Sequence, residues 1–172
     1  MKKTFSLKTS LQKLHLREKF GLLSLPTWTD IGLAPVAYVV ATFLAYLLFL
    51  IFELFPWFDA NEIQTASTTF LISGFDRLLA FISIVIITPI VEEIIFRGLF
   101  YGKLREKLNF PLSALIVSLA FAIAHGQWNV GINVFALSLV LCSLREVTGT
   151  TYAGILTHML KNGIAFYLLY II

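Results

Sequence analysis

The sequence predicts an all-α fold, a polytopic bundle of about five membrane-spanning helices. Three observations carry that reading. The chain of 172 residues is 58% hydrophobic and only 13% charged, with a mean hydropathy of +0.86, whereas soluble domains carry about a quarter charged residues. The apolar residues fall in runs long enough to cross ~30 Å of hydrocarbon. Basic residues gather at alternate ends of those runs, the positive-inside pattern.

Residues 1–30 read as a basic cytoplasmic or interfacial arm, with Lys2, Lys3, Lys8, Lys13, Arg17 and Lys19 preceding the first long apolar run. Leu7, Leu11 and Leu14 recur at helical spacing, which suits a helix lying on the membrane surface. Beside a membrane span such an arm sets topology or touches anionic lipid, so no nucleic-acid partner is expected. No cleavable signal peptide is expected, because the first 30 residues hold no continuous apolar core. Residues 31–172 read as one membrane domain.

The first span is expected over about Leu33–Phe55, leaving through Pro56 and the interfacial Trp57 into a polar loop over 56–75. A second helix runs from near Asp76 to about Leu108, with a kink at Pro89, which lacks a backbone donor and crowds the preceding turn. Asn109 and Pro111 turn the chain into a third helix, Leu112 to about His125. After a polar break at 126–129 a fourth runs from about Gly131 to Leu144, and a fifth from about Thr151 to Ile172. With the N-terminus inside, Lys103, Arg105, Lys107 and Arg145 also fall inside and Arg77 alone falls outside, which places a multi-pass protein in the cell membrane. The lone Cys142 excludes an intrachain disulfide and a cysteine zinc cluster; its place in an apolar run suits a small core residue.

Ionisable residues are rare within spans and usually functional. Glu92, Glu93, Arg97, His125, His158 and Lys161 all fall within these spans. Measured from the cytoplasmic helix ends at ~1.5 Å per residue, Glu92 lies roughly 15 Å deep, His125 roughly 20 Å and His158 roughly 14 Å. Three helices thus bring polar groups to one depth. Glu93 and Arg97 are four apart and share a face, where burial calls for an ion pair. Glu92 points about 100° away, without a partner on its own helix, which suits a carboxylate that takes a proton from water. His158 and Asn162 share a face of the fifth helix, as oxyanion donors or as interhelical hydrogen-bonding groups. His125 reads as a water-orienting or metal-binding group. Glu92, His125, His158 and Asn162 are expected to converge on one water-accessible cavity. Lys161 snorkels or pairs with an acidic group.

Glu92–Arg97 (EEIIFR) resembles the EExxxR motif of the CPBP family, which contains the type II CAAX prenyl endopeptidases and bacterial Abi-type proteins. Phe121–His125 is similar to its FxxxH motif and His158–Asn162 to its HxxxN motif, in the family's order. The resemblance covers roughly residues 76–172; Ser138 and Cys142 depart from it where small glycines are usual. It implies hydrolysis of peptide bonds in membrane-associated or lipidated substrates. Glu92 and His125 would activate water, His158 and Asn162 would form the oxyanion hole, and Glu93 and Arg97 would position substrate or hold the helix. The family has been described both as glutamic and as metalloproteases. No tightly bound cofactor is expected; if a divalent metal such as zinc is used, only Glu92, His125 and His158 are there to hold it. The expected partners are a peptide or protein substrate and the lipid bilayer. Two rivals from other classes are a non-catalytic immunity or partner-binding membrane protein and a small transporter or proton pathway.

Overall fold

The computed structural model describes residues 20–22, 25–59 and 74–170. Among these the chain is all helical, in five helices: α1 (Trp28–Phe52), α2 (Gly74–Arg105), α3 (Phe110–Ala124), α4 (Trp128–Thr148) and α5 (Tyr152–Tyr170). Most of the basic arm and of the loop expected over 56–75 lies outside the described residues. The helix count matches the sequence. Helices α1, α2 and α4 are long and apolar enough to cross a membrane by length and composition alone. α3 is apolar but has 15 residues, roughly 22 Å of helix. α5 has 19 residues, and His158, Lys161 and Asn162 lower its hydropathy.

α1 begins earlier than the hydropathy indicates, because Thr27 and Asp30 form a reciprocal capping box. The Thr27 amide donates to Asp30 Oδ2 at 2.7 Å, and the Asp30 amide to Thr27 Oγ1 at 3.3 Å. Asp30 is buried and also accepts from Thr150 Oγ1 at 3.3 Å. The start of α1 is therefore tied to the α4–α5 turn. That turn opens at Gly149, whose φ of +69° ends α4 in the left-handed region.

Small residues decide how closely α1 packs. Ala34, Ala37, Ala41 and Ala45 form its buried stripe, which lets backbones approach as membrane helices require. Ala37 and Ala41 meet Leu137, Leu141 and Leu144 of α4 and Ala153 of α5. The opposite face exposes Val36, Val39, Val40, Phe43, Leu47 and Leu50. An apolar face of that extent suits lipid. A second core joins α2, α3 and α4 through Tyr101, Ala114, Val117 and Cys142. Cys142 is fully buried. Near the same end, Glu146 of α4 accepts from Tyr101 Oη at 2.6 Å and from Arg105 Nη2 at 2.7 Å. At the other end Trp57 packs edge-on against Trp128, ring centroids 5.7 Å apart.

In α2 the expected proline kink takes another form. Ile82–Ile87 and Ile94–Phe100 wind as π-helix on either side of the α-helical Thr88–Glu93. The wider winding gives the Pro89 ring room that a regular α-helix denies it. It also leaves one carbonyl unserved. The Thr88 amide donates to Ser83 O, and the next residue, Pro89, has no N–H to offer Ile84 O.

Candidate active site

The α-helical turn after Pro89 presents Glu92 and Glu93 toward α5. Glu93 is fully buried, as is Arg97 one turn on. Arg97 Nη1 donates to Glu93 Oε1 at 2.8 Å, the pairing expected from their spacing. The guanidinium also lies over the Phe121 ring, 4.6 Å from its centroid, a favourable contact for a desolvated cation. Gly154 of α5 makes room for the pair, since a Cβ there would stand 3.0 Å from Glu93 Oε2.

His158 sits between the two glutamates. Its Nδ1 is 3.1 Å from Glu93 Oε1, and its Nε2 is 3.6 Å from Glu92 Oε2. A carboxylate only accepts, so Nδ1 carries a proton toward Glu93. That fixes the ring and turns Nε2 toward Glu92. The Glu92 side chain is 27% exposed while that of His158 is 3% exposed. Of the two carboxylates, Glu92 is the one that water can reach.

His125 caps the C-terminus of α3. Its Nδ1 is 2.7 Å from Phe121 O. A carbonyl accepts only, which leaves Nε2 as the free accepting nitrogen. Phe121 joins the two histidines, its ring centroid being 4.8 Å from that of His125 and 5.9 Å from that of His158. No hydrogen bond or ion pair joins His125 to Glu92 among the described residues.

Asn162, one turn beyond His158, is committed to structure through one of its amide hydrogens. Its Nδ2 donates to Ile84 O at 2.9 Å, the carbonyl that Pro89 leaves without a helical donor. The interhelical role weighed for Asn162 is thus present, and its second N–H remains. Asn162→Ala is expected to cost ~1–3 kcal/mol, because that carbonyl loses its donor. In a Pro89→Ala background the new backbone N–H serves Ile84, and the cost shrinks. A double-mutant cycle on thermal unfolding in detergent measures this coupling; strictly additive costs would refute it.

Two clefts flank the motif residues. An apolar cleft of about 470 Å³ opens beside His125, lined by Leu48, Phe52, Ile123, Gly126 and Trp128 among others. A second, about 180 Å³, holds Lys161 between α1, α4 and α5. Glu92, His158 and Asn162 line neither. α3 ends at His125, whose ring packs on Phe121. No three His, Cys, Asp or Glu side chains among the described residues stand close enough to hold a metal ion, Glu92, His125 and His158 included. The present arrangement does not fit the zinc site considered from the sequence.

Spacing alone missed the carboxylate contacts of His158 and the hub role of Phe121. It also missed two buried hydroxyls on α3 and α4. Ser118 and Ser138 are fully buried, and their hydroxyls have no hydrogen-bond partner, like Arg97 Nε and Nη2. Ser138 and Cys142, the residues that depart from the family's glycines, lie one turn apart on α4.

Residues 73–164, more than half of the chain, match the family described as Type II CAAX prenyl endopeptidase Rce1-like. The protein described as "Putative membrane peptidase YdiL" of Bacillus subtilis (strain 168) is 35% identical over 77 residues, covering 45% of this chain and 32% of that protein. The match therefore spans about a third of that relative's length. No solved structure matches. The matched segment contains Glu92–Arg97, Phe121–His125 and His158–Asn162 entire, and with them the Glu93–Arg97 pair within α2: this membrane protein is a member of the Rce1-like type II CAAX prenyl endopeptidase family.

Proposed function

We propose that the chain is an intramembrane endopeptidase that hydrolyses peptide bonds of membrane-associated or lipidated substrates through a glutamate-activated water. The observation that carries this reading is the Glu92–His158 contact of 3.6 Å, set beside a buried Glu93–Arg97 pair of 2.8 Å. Glu92 is the general base: it is partly exposed and free of the arginine. Glu93 and Arg97 are positioning residues, because Glu93 Oε1 accepts from both Arg97 and His158 and so fixes the imidazole.

Protonated His158 makes the cluster neutral, two carboxylates balanced by one guanidinium and one imidazolium. In that form Nε2–H is a donor beside the water, placed to stabilise the oxyanion. Water gives a proton to Glu92 as its oxygen attacks the scissile carbonyl. The resulting tetrahedral intermediate collapses when that proton passes to the leaving amine. His125 Nε2 accepts from and orients the water, and the second N–H of Asn162 supports the oxyanion.

Two experiments test the reading. The membrane peptidome of cells carrying wild-type protein should contain cleaved products that vanish with Glu92→Ala; identical peptidomes would favour an immunity or partner-binding protein. Solute or proton flux in liposomes without cleavage would favour a transporter. The reaction also needs a defined orientation. Lys and Arg distribution puts the N-terminus in the cytoplasm, so reporter fusions after Ala60 and at Ile172 should both read outside. A cytoplasmic signal at Ala60 overturns that topology.

A further inference from the structure

Residues ahead of α1 reach back to the helices that carry the motifs. Phe20 and Gly21 pass over Gly98 of α2, one residue beyond Arg97, and bond to Thr151, where α5 begins. Gly98 is buried, and a Cβ on it would stand 3.3 Å from both Cα and O of Phe20. On the other side the Thr151 amide donates to Gly21 O at 3.1 Å, and Thr151 Oγ1 to Phe20 O at 3.3 Å. Amides at the start of a helix have no helical acceptor, so this segment supplies one that α5 lacks. Gly21 takes a φ of +68°, a conformation that strains any residue with a Cβ. A Cβ there would also meet the Arg145 guanidinium at 2.7 Å. Two glycines thus admit the crossing, one in the segment and one in α2.

Resting on the peptidase reading above, we propose that Phe20–Gly21 is a positioning strap that fixes α2 and α5 at the separation where His158 meets Glu93 and Glu92. These are the two helices whose side chains join in the site. Gly98 lies roughly 7.5 Å along α2 from Glu93, and Thr151 roughly 10 Å along α5 from His158. The strap therefore ties both helices within two turns of the contact it serves. That contact tolerates little movement. His158 Nδ1 is 3.1 Å from Glu93 Oε1 and its Nε2 is 3.6 Å from Glu92 Oε2, so a slide of about 1 Å takes both out of hydrogen-bond range. Misplacement on that scale costs up to ~10²-fold in rate even when its cause is remote from the chemistry. Phe20 and Gly21 act on the reaction only through His158.

The test compares full-length protein in detergent with Gly21→Val, Gly98→Val and a deletion of residues 2–22, which keeps the Thr27–Asp30 cap of α1. Cleavage of a membrane-embedded reporter peptide is measured per folded molecule, well below each unfolding temperature. Each variant should lose roughly 10- to 100-fold in kcat with KM little changed, because the reacting groups are misplaced while substrate binding is not. Gly98→Val should add almost nothing in the deletion background, where no strap is left to displace. Wild-type kcat in the deletion variant, or an equal cost of Gly98→Val in both backgrounds, overturns the strap. If the deletion variant folds poorly, Gly21→Val decides: its kcat falls if the strap positions His158 and stays at the wild-type value if it does not. A second readout needs no cleavage. The His158 Nδ1–H proton resonance, assigned by its loss in His158→Gln, should shift or broaden in Gly21→Val. That change in a protein that cuts no reporter would keep the strap and reject the peptidase reading. Cleavage with kcat and resonance both unchanged in Gly21→Val would do the reverse.

Discussion

Glu92→Gln protein should fail to cut a membrane-embedded reporter peptide while unfolding at nearly the wild-type temperature. Glutamine keeps the shape of the side chain and loses its basicity. A positioned base contributes ~10²–10⁴ in rate, and no neighbour can take over. Glu93 is fully buried, and its Oε1 already accepts from Arg97 and His158. Stability should hold, because Glu92 is partly exposed and its one ionic contact is long at 3.6 Å. Purified wild-type, Glu92→Gln and Asn162→Ala proteins are compared under single-turnover conditions. Asn162→Ala should lose ~10²–10³ if its second N–H holds the oxyanion, and far less if it serves Ile84 alone. Equal cleavage by wild type and Glu92→Gln would end the glutamate-base mechanism.

How much of this was legible in sequence follows from the range of each interaction. The Glu93–Arg97 pair is an i,i+4 contact within one helix, so spacing and burial sufficed to expect it. The different partners of Glu92 and Glu93 followed from the 100° turn per residue. The contact of His158 with both glutamates spans 65 residues, and depth matching placed it only to within a turn or so. Asn162 shows the limit most clearly. Its partner is a backbone carbonyl freed by the π winding around Pro89, and no side-chain pattern announces such a group. The packing of His125 on Phe121 was legible only in part, because helix length sets depth but not the heading of a residue at the helix end. The start of α1 was readable, in Thr27 and Asp30, but hydropathy runs ignore capping residues.

The largest loss of stability should come from Arg97→Ala. Arg97 has no exposed surface, pairs with Glu93 at 2.8 Å and covers Phe121. Its removal leaves the Glu93 carboxylate buried with only His158 to offset it, and opens a void against Phe121. Breaking a buried pair typically costs ~3–5 kcal/mol, a fall in unfolding temperature on the order of 10 °C for a chain of this size. The folded yield in membranes should drop as well. Replacing both partners should be milder, because Glu93→Gln with Arg97→Met removes both charges and keeps the volume. That double variant separates stability from chemistry. It should unfold close to wild type yet cut slowly, because a glutamine can donate as well as accept and no longer holds the imidazole as the carboxylate does. Thermal unfolding in detergent and reporter cleavage, measured on the same preparations, check both halves. Full thermal stability of Arg97→Ala would show that the pair does not hold α2, and full activity of the stable double variant would show that it does not position His158.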